Sequence, residues 1–207
     1  IVTVAGLVRT AVQDATTALV TADLTIAERV ISGDARIDEL TKEIEQRSFQ
    51  LLARQAPVAG ELRTVVAVLR MSYSLDRMGD LAAHIAKIAR LRYPEVAAPE
   101  PVADQIKQMA ETADSMIATA ITTLENRDAE AAAGLATADS KMDELRSDQF
   151  HLLLSDDWEY GVEKAVDTAL LGRYYERIAD HAVAMGARTI YIVTGEAPEG
   201  ENWPSSF

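Results

Sequence analysis

The chain has no cysteine among its 207 residues. That excludes disulfide scaffolds, thiolate catalysis, iron–sulfur clusters and cysteine-type zinc sites. Glycine (10) and proline (6) are sparse and aromatics make up only 5%, which argues against a sandwich, a barrel or a disordered chain. Positive charge is also short: 20 Lys and Arg face 33 Asp and Glu, a net charge of −13. Duplex nucleic acid and polybasic membrane binding both need a basic footprint, so neither is expected. No apolar run approaches the ~18 residues of a membrane span. The opening Ile1-Val2-Thr3-Val4 lacks the basic-then-apolar order of a signal peptide. The expectation is a cytoplasmic protein of one or two domains that does not insert into a membrane and reaches its inner face only through partners.

What is present is helical periodicity. Val4, Leu7, Val8, Ala11, Val12, Ala15 and Leu19 recur at three and four residues, one face of a 3.6-period helix. Ile37, Leu40, Ile44 and Leu51 predict a second helix over 34–55. Pro57 suits the first turn of a third, long helix, since no further proline occurs before Pro94. The stretch 96–101, flanked by Pro94 and containing Pro99 and Pro101, reads as a linker. Helices are then expected over about 102–124, 128–154 and 158–193. The segment from Gly195 to Phe207, with Pro198, Gly200 and Pro204, reads as a loosely ordered tail.

The two halves repeat each other. Ile37-Asp38-Glu39-Leu40 returns 105 residues later as Met142-Asp143-Glu144-Leu145, and Asp23 and Asp34 fall on Asp128 and Asp139. Asp76-Arg77-Met78-Gly79-Asp80 returns 100 residues later as Glu176-Arg177-Ile178-Ala179-Asp180. A tandem duplication of a three-helix unit explains both: an all-α chain with one bundle over 1–95 and a second over 102–194.

Acids stand where carbon is expected. On the third helix Leu62, Val65, Leu69, Asp76, Asp80 and Ala83 share one narrow sector. Val162, Ala165, Ala169, Glu176, Asp180 and Val183 do the same on the sixth. On the second helix Asp34 and Asp38 flank Ile37 and Ile44, and Asp139 and Asp143 repeat them. Acids four apart on one helix repel, and four of them on a seam between adjacent helices would cost several kcal/mol per unpaired buried ion. Protons, Arg or Lys partners, or bound metal must compensate. Arg77 and Arg177 adjoin the motifs and suit charge balance. Gly79 suits close helix approach and leaves room beside Asp80.

An all-carboxylate donor set favours hard cations, magnesium, manganese or iron, over thiolate-seeking metals. Oxygen-activating di-iron chemistry is disfavoured because no Glu-x-x-His occurs. His181 follows Asp180 and lies about 100° around the helix from the acids, so it either supports them from behind or serves an interface. His84 and His151 read as packing or surface residues. There is no phosphate-binding glycine loop, no nucleophile elbow and no His-Glu-x-x-His.

Residues 51–63 (Leu-Leu-Ala-Arg-Gln-Ala-Pro-Val-Ala-Gly-Glu-Leu-Arg), 75–82 (Leu-Asp-Arg-Met-Gly-Asp-Leu-Ala) and 175–182 (Tyr-Glu-Arg-Ile-Ala-Asp-His-Ala) resemble the PhoU family, in its actinobacterial form. The resemblance runs through Gly195. It implies two three-helix bundles related by a pseudo-twofold axis, often dimeric, whose acidic motifs bind metal: iron, manganese, zinc or magnesium. By that likeness the metal positions are Asp34, Asp38, Asp76 and Asp80 in the first bundle, and Asp139, Asp143, Glu176 and Asp180 in the second. It further implies a repressor of the phosphate-starvation response when phosphate is plentiful. Such a protein links a phosphate ABC transporter, through its ATPase subunit, to a membrane sensor histidine kinase. Three features depart from the family pattern: Glu61-Leu62-Arg63 stands where Asp-Leu-Arg is common, Asp80-Leu81 lacks the histidine found in Asp180-His181, and the second half has no counterpart of the Pro57–Arg63 segment, with Gly161 and Glu163 at the matching positions. A non-enzymatic adaptor is therefore the leading expectation. A metal-dependent enzyme on a bundle scaffold and a purely structural scaffold are the rivals.

Overall fold

The computed structural model describes residues 1–197. The expected tail lies, from residue 198 onward, outside the described residues. The described residues form six helices: α1 (Val2–Thr21), α2 (Leu24–Gln55), α3 (Ala59–Arg92), α4 (Glu100–Asn126), α5 (Ala129–Leu153) and α6 (Gly161–Thr194). The repeat reaches down to the caps. Asp23 accepts from the Ile26 amide at 2.9 Å to start α2, and Asp128 accepts from the Ala131 amide at 2.9 Å to start α5. Each satisfies one of the amides that a helix start leaves without a partner. The preceding helices both end on a left-handed residue, Ala22 and Arg127.

Four boundaries differ from the sequence expectation. The second helix starts at Leu24, ten residues before the expected 34, behind the Asp23 cap. Pro57 precedes α3 instead of entering its first turn: it is buried between the helices, and α3 starts at Ala59 with Val58 as its cap. Pro101 belongs to the first turn of α4, because a missing amide costs nothing there. The true connection is 93–99, with a cis peptide at Tyr93–Pro94. The sixth helix begins at Gly161, not near Trp158. Gly161 takes a positive φ of 78°, a conformation that costs glycine no steric penalty, and the Trp158 indole donates to its carbonyl at 2.9 Å.

Within each half the three helices pack against one another, and the halves join where α3 meets α6 and α1 meets α4. Outer helices α2 and α5 touch only their own bundle. The core is accordingly continuous across α1, α3, α4 and α6. Leu19, Met71, Leu75, Ile85, Ile106, Met116 and Ile117 are fully buried there, each contributing about 1.5–3 kcal/mol relative to exposure. Glycine allows close approach at three places, one of them Gly172, where a Cβ would stand 1.9 Å from Gln149 Oε1. A Cβ on Gly186 would stand 2.7 Å from Leu135 Cδ1 and 3.0 Å from the Ala132 carbonyl, and one on Gly79 3.2 Å from Ile37 Cγ2.

Candidate functional site

The seam between α2 and α3 brings Asp34, Asp38, Asp76 and Asp80 together. Asp34 Oδ1 is buried without a hydrogen-bond partner. It occupies the space that Gly79 leaves, since a Cβ there would come within 3.1 Å of it. The room made by Gly79 thus serves Asp34 on the facing helix, not Asp80 on its own, because Gly79 points across the α2–α3 contact. Burial pushes the Asp34 carboxyl up to about 6, reinforced by Asp80, Asp38 and Asp76 and opposed by Lys87. Asp76 is also raised, by burial first and then by Asp38 and Asp80, against a 3.1 Å hydrogen bond from the Thr41 hydroxyl. Arg77 pairs with Asp80, and Lys42 lies 3.7 Å from Asp38.

The α5–α6 seam assembles Asp139, Asp143, Glu176 and Asp180. Asp139 rises to about 6 through burial and then through Asp143, Asp180 and Glu176. Asp180 rises through burial and Glu176, with Arg173 and Arg177 opposing. Here the compensation differs. Glu176 is paired with Arg173 at 2.8 Å and with Arg146 at 3.4 Å. Arg146 is buried, lies over the Phe150 ring at 3.9 Å and donates to Gln149 Oε1 at 2.6 Å. Arg146 stands at the repeat position of Thr41, so one seam has a hydroxyl where the other has a guanidinium. Sequence reading singled out Arg177, which biases Asp180 from nearby, and missed Arg146 and Arg173. The 105-residue register was the available signal for Arg146, and the three-residue spacing to Glu176 for Arg173.

His181 serves the interface. Its ring meets Tyr73 edge-on at 6.4 Å across α3 and α6, and burial, with Arg177 and Arg77 nearby, pulls it down to about 4. His84 meets Tyr174 at 5.4 Å across the same contact. The apolar stripe that leads to Glu176 and Asp180 does not start in the core. Val162 is 81% exposed, because only the end of α5 and the loop after it stand opposite.

As placed, no three Asp, Glu, His or Cys side chains among the described residues converge on a point that would hold an ion. Holding one takes a side-chain rotation at the seam. In chemistry and charge the residues fit a hard cation: the donors are all oxygen, one buried carboxylate oxygen lacks a partner, and both seams hold acids that raise one another.

A duplicated three-helix bundle with a paired-carboxylate seam in each half defines an all-α repeat protein with two equivalent acidic sites. No helix among its described residues is long and apolar enough to cross a membrane. The PhoU domain model matches residues 1–89 and 106–189, and the chain belongs to the PhoU family. It is 43% identical over 201 residues to the phosphate-specific transport system accessory protein PhoU homolog 1 of Mycobacterium leprae, covering 97% of this chain and 90% of that protein. It is 44% identical to PhoU homolog 2 of Mycobacterium tuberculosis, covering 93% and 91%. The crystal structure of PhoU from Pseudomonas aeruginosa superposes with a TM-score of 0.88 at 26% identity, covering 94% of this chain and 93% of that one. PhoU from Streptococcus pneumoniae, described as a phosphate transport system regulatory protein, gives 0.83 at 27%, covering 94% and 92%.

Proposed function

We propose that this chain is a regulatory adaptor of phosphate-specific transport whose two carboxylate seams take hard cations. It represses the phosphate-starvation response when phosphate is plentiful, by linking the ATPase subunit of a phosphate ABC transporter to a membrane sensor histidine kinase. Family membership and the accessory role named for its relatives support the transport assignment. One observation carries the cation reading: two repeat-related seams each hold an aspartate raised to about 6 by burial and by neighbouring acids, so each favours added positive charge.

Asp34, Asp38, Asp76 and Asp80 would hold an ion in the first bundle, and Asp139, Asp143, Glu176 and Asp180 in the second. A bound cation supplies positive charge to acids that otherwise repel. The residues around them set how much charge is still wanted: Arg146 and Arg173 both offset Glu176, whereas in the first seam Arg77 offsets Asp80, the exposed Lys42 lies 3.7 Å from Asp38 and Thr41 brings only a hydroxyl to Asp76.

Two measurements test the reading separately. Deleting the gene should leave phosphate-starvation genes on in high phosphate, and normal repression in the deletion strain would overturn the adaptor role. Elemental mass spectrometry of protein purified without chelator should find stoichiometric metal that is lost in Asp76→Ala/Asp80→Ala/Glu176→Ala/Asp180→Ala. Metal-free parent protein would overturn the cation role and reassign the acids to docking or ion pairs.

A further inference from the structure

The turn joining α5 to α6 ends the second bundle in an open groove of about 420 Å³. Phe150, Leu153, Leu154, Trp158, Val162 and Val166 line it. Leu154 is 83% exposed and Val162 81%, with Val166 and Phe150 about half exposed. Burying such side chains is worth about 1.5–3 kcal/mol each, so a contiguous group left open marks a contact surface.

Charge narrows what covers it. Residues 147–163 hold five acids, Asp148, Asp156, Asp157, Glu159 and Glu163, and no lysine or arginine. Of these only Glu163 is seen bridged to a base, Arg92 on α3. In the 105-residue register of α2 and α5, the pseudo-equivalent end of the first bundle, residues 42–63, carries Lys42, Arg47, Arg54 and Arg63 against Glu43, Glu45 and Glu61. Duplication has therefore produced two apolar ends of different charge, one acidic and one close to neutral, the latter with Phe49 and Val58 exposed. The groove's acids repel an anionic bilayer and equally repel the same groove on a second copy.

We infer that this groove is a docking site for a basic amphipathic helix of a partner protein, with apolar anchors spaced i, i+3 or i+4 entering between α5 and α6 and Lys or Arg flanks meeting the acids. The inference rests on the adaptor reading for why such a partner exists. It explains how one duplicated fold addresses two different partners: unequal charge at the two ends disfavours exchanging them.

The probe is a fluorescently labelled Leu/Lys peptide of about 18 residues, long enough for five helical turns, written as an amphipathic helix. A scrambled peptide of identical composition controls for charge. Full-length protein should bind the amphipathic peptide about tenfold or more tighter than the scrambled one. Val162→Glu/Val166→Glu should lose at least that factor, while Val58→Glu at the opposite end keeps it. Both valines are exposed and glutamate suits the first turns of a helix, so circular dichroism should be unchanged. Leu154→Glu, beyond the end of α5, repeats the test if it is not. Equal binding of the two peptides, or binding indifferent to the groove substitutions, would overturn the proposal. So would self-association of the parent in sedimentation that the same substitutions abolish, since a second copy would then fill the groove. None of these readouts passes through phosphate-responsive genes, so the docking site and the adaptor role fail independently.

Discussion

At the scale of single residues, the chemistry is decided by what faces each acid. Asp34 and Asp139 are both raised to about 6 from an ordinary 3.8. A raised acid binds its proton more tightly in the folded state, so its contribution to stability falls as pH rises from about 4 through 6 and the loss is complete above that. In chelator, Asp34→Asn/Asp139→Asn should therefore melt higher than the parent at pH 7.5, with the gap closing as pH drops toward 4.5. A gap that is constant with pH would show that neither carboxyl is raised. Gly186 makes the packing counterpart. Alanine there meets Leu135 at 2.7 Å and the Ala132 backbone at 3.0 Å, and backbone cannot swing aside. Gly186→Ala should cost about 1–3 kcal/mol of stability, read as a lower urea midpoint with an unchanged slope.

At the scale of elements, the contact between α3 and α6 joins the two bundles along their length, antiparallel. Tyr73 meets His181, His84 meets Tyr174, and at the far end Arg92 pairs with Glu163 and the buried Asp167 at 2.5 Å. Removing Arg92 leaves Asp167 buried and unpaired, which is worse than removing both charges. Arg92→Ala should lower the melting temperature, and adding Asp167→Asn should restore part of the loss. No recovery in the double variant would show that the arginine acts by packing alone. The helices themselves were legible in the sequence because each is specified by local apolar spacing. Their exact starts were less so. Pro57 and Gly161 respond to what packs around the turn, and Trp158 closes the second of these from outside the helix.

At the scale of the whole molecule, the repeat makes two sites that are equivalent in acids and differ in how closely their bases are held. The second seam has Arg173 and the buried Arg146 both on Glu176, the first has Arg77 on Asp80 and the exposed Lys42 at 3.7 Å from Asp38, so the second needs less added charge than the first. Titrating chelated protein with manganese should fill the first seam at lower concentration. Asp76→Asn/Asp80→Asn should remove the tighter binding phase, and Glu176→Gln/Asp180→Asn the weaker one. Arg146→Thr should bring the two phases together. The reverse order of loss would refute the charge argument.

The sequence alone determined the six helices, their duplication and the eight carboxylates placed in register with the apolar faces. The helices and the placing of the acids follow from periodicities within a few turns, where backbone hydrogen bonds and side-chain spacing act, and the duplication from matches 105 and 100 residues apart. Tertiary structure decided what those residues meet. It set Gly79 against Asp34, gave Glu176 to Arg146 instead of to Arg177, turned His181 toward Tyr73, and left the stripe from Val162 to Val166 open to solvent. Helical spacing says which residues share a face; only the packing of a second and third helix, distant in sequence, settles whether that face meets carbon, charge or water.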